Sequence, residues 1–394
     1  MRDGPDPVRL SAKGGAVRRL VLVVAVVPAV SLLGASAAAL PARPHWAITD
    51  LAASTGWSGE AQLINERGRI AGVVYGTTTY QPFLWDRGRT TLLGTLRGTT
   101  NASPIAINER GDVIGFATTK RGAFRGFVWR TGGMIDLGTL GGRETSPSDE
   151  NDRGDIVGWS KTRSGQMHAF LWRNGKMRDL GAGAASAVDE QGRVVGSTRY
   201  GTNTRAWLWE NGTKTDLGSL GGADVHPSVL NERRVVAGLG TTASPADGWH
   251  AFLWENGRMR DLGTLPGGSS SMVAALNEHG AVVGWSFPSS GESHAVLWRN
   301  GAVTDLGNGR YDSDSFASSI NEHGQVVGSI GERAELGRDE ATDAFVWQNG
   351  RRTLLPTLGG PQTGASRIND RGQIVGSSTV RGGAKHPVLW TLRG

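Results

Sequence analysis

The sequence predicts an all-β protein: an eight-bladed β-propeller of four-stranded blades, its ring closed by an N-terminal strand. Three observations lead there. One short pattern recurs eight times along the 394 residues, and a fixed repeat of this length decides an architecture before any single residue does. Each copy divides into four short apolar runs separated by turn signals, and no segment holds a helical apolar period. The two ends of the repeat region are incomplete in complementary ways.

The pattern is clearest as Asn151-Asp152-Arg153-Gly154-Asp155-Ile156-Val157-Gly158, then Ala169-Phe170-Leu171-Trp172-Arg173-Asn174-Gly175, then Asp179-Leu180-Gly181. Its Trp falls at Trp85, Trp129, Trp172, Trp209, Trp254, Trp298, Trp347 and Trp390, at spacings of 44, 43, 37, 45, 44, 49 and 43. The Asn position reads Asn65, Asn108, Asn151, Asp189, Asn231, Asn277, Asn321 and Asn369, and a glycine always follows seven residues later. Leu92 and Leu354 replace the Asp of Asp-Leu-Gly in two copies. Length changes sit mostly between the Gly-x-Ser and Ala-Phe-Leu-Trp segments. That confines insertions to one set of loops.

In the sixth copy the four strands read Ala274 to Asn277, Ala281 to Trp285, Ala295 to Trp298 and Ala302 to Leu306. Glu278-His279-Gly280 joins the first pair. Arg299-Asn300-Gly301 joins the second, its Asn-Gly supplying the positive φ of a tight hairpin. Small residues in the first strand, such as Ser228, Ala275, Ser318-Ser319 and Ser366, suit a crowded central axis. The third strand is apolar on both faces, Phe170 and Trp172 on one and Ala169 and Leu171 on the other, as expected between neighbouring blades. The eight Trp are therefore read as inter-blade core. Ile48-Thr49-Asp50-Leu51 matches Met177-Arg178-Asp179-Leu180 in spacing, whereas the last copy stops at Trp390-Thr391-Leu392-Arg393-Gly394. The N-terminal strand is thus expected to complete the last blade. A seven-bladed ring or an open solenoid is the alternative, and the complementary ends argue against the open form.

Residues 1–39 read as a signal peptide and 40–394 as one propeller domain. Arg18-Arg19 precede an apolar run from Leu20 to Leu33, and Gly34 to Ala39 are small; cleavage after Ala37 or Ala39 fits. The Arg pair invites a twin-arginine reading, but its flanks favour Sec export. Pro28 and the weakly apolar end argue against a retained anchor. There is no cysteine, so stability rests on burial and ladder hydrogen bonds. The net charge of +6 is dispersed among turns such as Arg67, Arg110, Arg153 and Arg371. Basic charge suits an anionic surface such as a cell-wall polymer, but its dispersal favours a reading as solvated turn charges. No nucleic-acid motif is present.

The repeat also filters the candidate chemistry. Asp149-Glu150-Asn151-Asp152-Arg153-Gly154-Asp155 has a superficial likeness to a calcium loop, but Arg153 stands where a third ligand belongs and no distal Glu follows. The Arg-Gly-Asp triplets at 110–112 and 153–155 are ordinary turns of the pattern. His168, His250, His294 and His386 share a position that elsewhere holds Gln81, Arg125, Arg205 and Asp343, so they make no metal cluster. Asp312-Ser313-Asp314 is too short an acidic loop to claim a cation. No Gly-x-Ser-x-Gly elbow, His-Glu-x-x-His or phosphate loop occurs. What survives is Glu150, in a column otherwise filled by Ile64, Ile107, Val188, Leu230, Leu276, Ile320 and Ile368, with Asp149 beside it. A carboxylate in an apolar slot is desolvated and its pKa raised unless it is paired. Asp149 and Glu150 are the candidate binding residues; no catalytic residue, metal site or cofactor is assigned.

The segments His168-Ala169-Phe170-Leu171-Trp172 to Asp179-Leu180-Gly181 and His250-Ala251-Phe252-Leu253-Trp254 to Leu262-Gly263-Thr264-Leu265 resemble the bacterial extracellular HAF repeat family. The resemblance spans roughly residues 45–394. Copies depart from the tripeptide at Gln81-Pro82-Phe83, Gly126-Phe127, Ala206-Trp207 and His386-Pro387-Val388. The resemblance implies secretion and a repeat fold; it supplies no activity and no catalytic residues. The expectation is a secreted, monomeric binding or scaffold module for an extracellular protein or glycan, with no nucleic acid and no membrane after cleavage. The long loops 240–249 and 330–342 are the places to look for a partner. A secreted propeller hydrolase or lyase acting on polysaccharide or peptide is the alternative.

Overall fold

Frequent glycine and paired turn residues cut this chain into extended runs of four to ten residues, too short to bury a face except by stacking on copies of themselves. In the computed structural model, residues 44–394 are described apart from 245, 290, 308–312 and 332–341. The expected signal peptide, Asp312 and most of the 330–342 loop lie outside the described residues. Among those described, 32 strands form eight four-stranded antiparallel blades, at 58–92, 99–136, 141–182, 184–216, 221–261, 270–305, 314–354 and 359–393 together with 45–50. Single parallel bridges, Thr204↔Asp224 and Thr342↔Gln362, link blades 4 to 5 and 7 to 8.

Blade 3 shows the plan. Its innermost strand, Gly141–Glu150, is followed outward by Ile156–Thr162, Met167–Arg173 and Lys176–Ala182. The outer hairpin turns on Asn174 (φ 51°) and Gly175 (φ 80°), the two left-handed residues of a type I′ turn. The glycine seven after the Asn has another cause. A Cβ on Gly158 would lie 2.2 Å from the Ser146 carbonyl oxygen and 3.1 Å from the Phe170 ring. In all eight copies a Cβ there would lie within 2.3 Å of a carbonyl oxygen of the neighbouring strand, so the column admits no side chain.

The Phe–Trp face of each third strand meets the preceding blade and the Ala–Leu face the following one. Ile156, Phe170 and Trp172 pack on Ile114 and Val128 of blade 2, whereas Val157, Ala169 and Leu171 pack on Val194, Trp207 and Trp209 of blade 4. Six of the repeat Trp are buried; Trp85 and Trp129 are half-buried. The ring closes as the ends required. His45–Asp50 pairs antiparallel with the last strand, Ile48 opposite Trp390 and Asp50 opposite Val388, the register in which Met177 faces Trp172 and Asp179 faces Phe170. Trp46 and Ile48 join the blade 7–8 core, and Val375 and Leu389 of blade 8 pack on Ile70 and Phe83 of blade 1.

The Asn and the acid after it, read from sequence as turn formers, tie the blades together. Asn65 donates from Nδ2 to the Asn108 carbonyl (2.9 Å), Asn108 to Asn151 (3.3 Å), and Asn151 to Asp189 (2.8 Å). The series resumes at Asn231→Asn277 (3.1 Å), Asn277→Asn321 (3.2 Å) and Asn321→Asn369 (3.1 Å), and closes at Asn369→Asn65 (3.0 Å). The Asp189 side chain has no N–H to give. There Arg193, ion-paired with Asp189, donates instead to the Glu232 carbonyl at 2.8 Å. A second circle runs beside the first: the backbone N–H of Glu66 donates to Glu109 (2.6 Å), that of Glu109 to Asp152 (2.7 Å), and so on round to Asp370, which donates to Glu66 (2.9 Å). All eight acids of the motif serve in it.

Candidate functional site

All eight innermost strands share one register shift, between Pro147 and Asp149 in blade 3 and at the matching residues of the other seven. A bulge bends its strand and re-aims the residues beside it. Here it turns residues of every blade toward the axis, where they line a cavity of about 400 Å³. Its wall is mostly Leu, Ile, Val and Ala, with hydroxyls at Ser148, Ser186, Ser228 and Ser319. Two charged side chains interrupt it: Asp149 of blade 3 and Arg367 of blade 8.

Asp149 is held by backbone amides of two blades. Its Oδ1 accepts the Glu150 N–H and its Oδ2 the Val188 N–H, both at 2.9 Å. Burial pushes its pKa up to about 7; the two amides oppose that rise and the Glu190 carboxylate adds to it. Arg367 stands in the same column of the repeat, where the remaining blades have Leu63, Ala106, Ala187, Val229, Ala275 and Ser319. Its side chain is exposed to the axial cavity, and partial desolvation by the surrounding strands lowers its pKa from the ordinary guanidinium value. Only Nη1 is engaged, donating to the carbonyls of Ser318 (3.1 Å) and Ser366 (3.4 Å).

Glu150, the other sequence candidate, does not face the cavity. It is 8% exposed and lies between blades 2 and 3. Its Oε2 accepts from Asn108 Nδ2 at 3.2 Å, and its Oε1 is buried without a hydrogen-bond partner. Burial holds its pKa well above the usual carboxylate range, reinforced by Asp112 and opposed by Arg130 and Arg110. The structure therefore separates the pair: Asp149 opens to the axis, and Glu150 lies buried in an inter-blade slot. Arg367 went unnoticed in the sequence, although comparison down the Asp149 column exposes it at once.

The remaining candidates are occupied as scaffold. In the calcium-like segment, Asn151 and Asp152 belong to the two circles, and Asp155 is ion-paired with Arg173 at 2.5 Å. Although burial alone would raise it, Arg173 holds the Asp155 carboxyl below its ordinary value. The second Arg-Gly-Asp triplet is thus inaccessible at its Asp, which is 2% exposed. Each repeat His faces the Asp of Asp-Leu-Gly in its own blade: His168–Asp179 and His250–Asp261 at 2.8 Å, His294–Asp305 and His386–Asp50 at 2.9 Å. Arg125 meets Asp136 in the same way. The two copies lacking that Asp, with Leu92 and Leu354, are those with no basic residue opposite, Gln81 and Asp343. No cluster of three or more His, Cys, Asp or Glu able to hold a metal occurs among the described residues.

The face carrying the hairpins between second and third strands differs in character. Tyr75 and Tyr200 end second strands there, and Phe124, Met167 and Trp249 begin third strands. Trp285 of blade 6 meets Phe316 of blade 7 edge-on at 5.4 Å, and Trp249 meets His226 at 5.4 Å. Tyr200 is 64% exposed and Phe316 39%. None of these side chains belongs to the repeat pattern.

No protein-family model matches the sequence, and no curated protein does. Among solved structures, the chain is similar to one from a study of two prolyl endopeptidases, with TM-score 0.57 and 11% identity over 82% of this chain and 54% of that one. It is similar to a puromycin-hydrolyzing peptidase of Mycobacterium tuberculosis, with TM-score 0.50 and 13% identity over 82% of this chain and 57% of that one. The β-propeller domain of the Trilobed protease from Pyrococcus furiosus also matches, with TM-score 0.46 and 10% identity over 86% and 96% of the two chains. This chain spans a little over half the length of the first two. At such identities the likeness is one of fold.

Proposed function

We propose that this protein is a secreted binding or scaffold module of the HAF-repeat type, which recognises an extracellular glycan or protein through the face bearing the second-to-third-strand loops. The observation that carries the reading is the gathering of aromatic side chains outside the repeat pattern on that face. Exposed aromatic side chains such as Tyr200 and Phe316 offer broad, rigid contact area with little entropy to lose, which suits them to recognition surfaces. The polar residues that do recur are engaged in holding blades together, so they are not free for chemistry.

One observation favours the alternative, a hydrolase or lyase: Asp149 is an acid with a pKa near neutrality inside a cavity. Among the described residues lining that cavity there is no histidine and no second carboxylate. The peptidases similar in fold are about twice as long as the matched region, and this chain has no Gly-x-Ser-x-Gly elbow. The test is binding of the mature protein to a glycan array and to isolated cell-wall polysaccharide, with Tyr200→Ala and Phe316→Ala as variants. Saturable binding weakened about tenfold by either variant is expected. Equal binding by both variants and wild type, or turnover of a polysaccharide or peptide probe, would overturn the reading.

A further inference from the structure

We infer that the axial cavity is a binding site for a small hydroxylated monocarboxylate of sugar-acid type, with Arg367 as the anchor of its carboxylate and Asp149 facing its hydroxyl end. This inference stands on the axis alone and does not depend on the aromatic face.

Arg367 is the first reason. Its guanidinium is exposed to the axial cavity and not packed into the wall, so it is open to a ligand there. Among the described residues no carboxylate pairs with it, and its protein partners are two carbonyls on a single nitrogen. Nε and Nη2 are left with no protein acceptor, the edge of the fork that takes a carboxylate in two parallel hydrogen bonds. The fold does not require an arginine there, since six other blades fill the same position with Leu, Ala, Val or Ser. A cation that the scaffold does not need and does not neutralise, open to the cavity, is an anchor for an anionic ligand.

Asp149 supplies the limit on that ligand. It sits three blades from Arg367 in one direction and five in the other, so the two charges stand on different sides of the axis and make no ion pair. Both its oxygens are fixed by backbone amides, yet each retains a lone pair for a hydroxyl from the cavity. Ionised, it repels any second negative charge, so a dianion is disfavoured where a monocarboxylate is accepted. The space of about 400 Å³ lies in the range of small-molecule pockets. The mixed wall of Ser hydroxyls and aliphatic groups matches a sugar ring, which is polar at its edge and apolar across its faces.

The probes are D-glucuronate, its neutral counterpart D-glucose and its dicarboxylate counterpart D-glucarate, titrated calorimetrically into the mature full-length protein at pH 8. Glucuronate is expected to bind, and glucose and glucarate to bind at least about tenfold more weakly. Arg367→Gln should lose glucuronate by tenfold or more while unfolding at the wild-type temperature or above, because that column tolerates uncharged residues. Asp149→Asn should admit glucarate. Tyr200→Ala on the loop face should leave the glucuronate titration unchanged, which separates this site from the surface proposed above. Failure of glucuronate to bind, glucose binding as tightly, or wild-type affinity in Arg367→Gln would each overturn the assignment of the carboxylate to Arg367. Equal binding of glucarate by wild type would overturn the role given to Asp149.

Discussion

Replacing Asp149 by Asn should invert the stability order of variant and wild type between acid and mildly basic pH. The carboxyl titrates near 7 in the folded chain and near 3.8 when unfolded. Between those values the folded protein holds a proton that the unfolded chain has released. Wild-type stability therefore falls as pH rises, by about 1.4 kcal/mol per pH unit from this group, and levels off above pH 7. The full contribution is about 4 kcal/mol, an upper figure because cavity water relieves part of the desolvation. Asn does not titrate, but its single carbonyl oxygen replaces only one of the two acceptors for the Val188 and Glu150 amides. That loss costs about 1–3 kcal/mol at every pH. The variant should thus be less stable at pH 4, more stable at pH 8, and cross wild type between about pH 4.5 and 6. Glu150 moves in the same direction, so the informative quantity is the difference between the two proteins. Urea unfolding followed by Trp fluorescence at pH 4 to 8 measures it. Parallel curves for the two proteins across that range would refute the desolvation argument.

Four further outcomes are expected. Glu150→Leu, which restores the apolar residue type of the other seven copies, should raise the urea midpoint at pH 8 by the equivalent of about 1–4 kcal/mol, and by less at pH 4, where the carboxyl is protonated in both states. Asn369→Ala removes the link to the Asn65 carbonyl and the support of the Gln373 N–H, costing about 2–4 kcal/mol; a matching loss in Asn321→Ala would show that the circle acts uniformly. Deleting residues 45–52 removes the outer strand of the last blade and uncovers Trp390, so the thermal midpoint should fall by several degrees, and an unchanged midpoint would contradict closure by that strand. His168→Ala should cost no more than about 1 kcal/mol, because Asp179 is 45% exposed and solvent screens the pair; a double-mutant cycle with Asp179→Ala reads the coupling directly.

Much of this fold was legible in the sequence because its determinants are local and repeated. Asn-Gly at Asn174-Gly175 announces a hairpin, Phe170 and Trp172 alternate with Ala169 and Leu171, and the spacing of Ile48 to Asp50 finds its partner at Trp390. What stayed hidden lies between copies. Asn65 and Asn108 sit 43 residues apart, and no local pattern shows that one side chain bonds the other's carbonyl. The His–Asp pairing was open to inspection, since Gln81 goes with Leu92 and Asp343 with Leu354. It required columns to be compared with each other and not only with their own consensus. The same holds for the site. Asp149 and Glu150 stood out together because both break an apolar pattern, yet the bulge at Ser148 sends one toward the axis and leaves the other between blades. A register shift of that kind has no residue signature, being carried by Gln62, Ile105, Ser148 and Ala274 alike. Arg367 was masked differently: it sits beside small Ser366 in a strand read as axis-lining, and a charge there has meaning only once the cavity it enters is seen. In a repeat protein the consensus builds the ring, and departures from it acquire chemistry only where the ring brings them to a shared space.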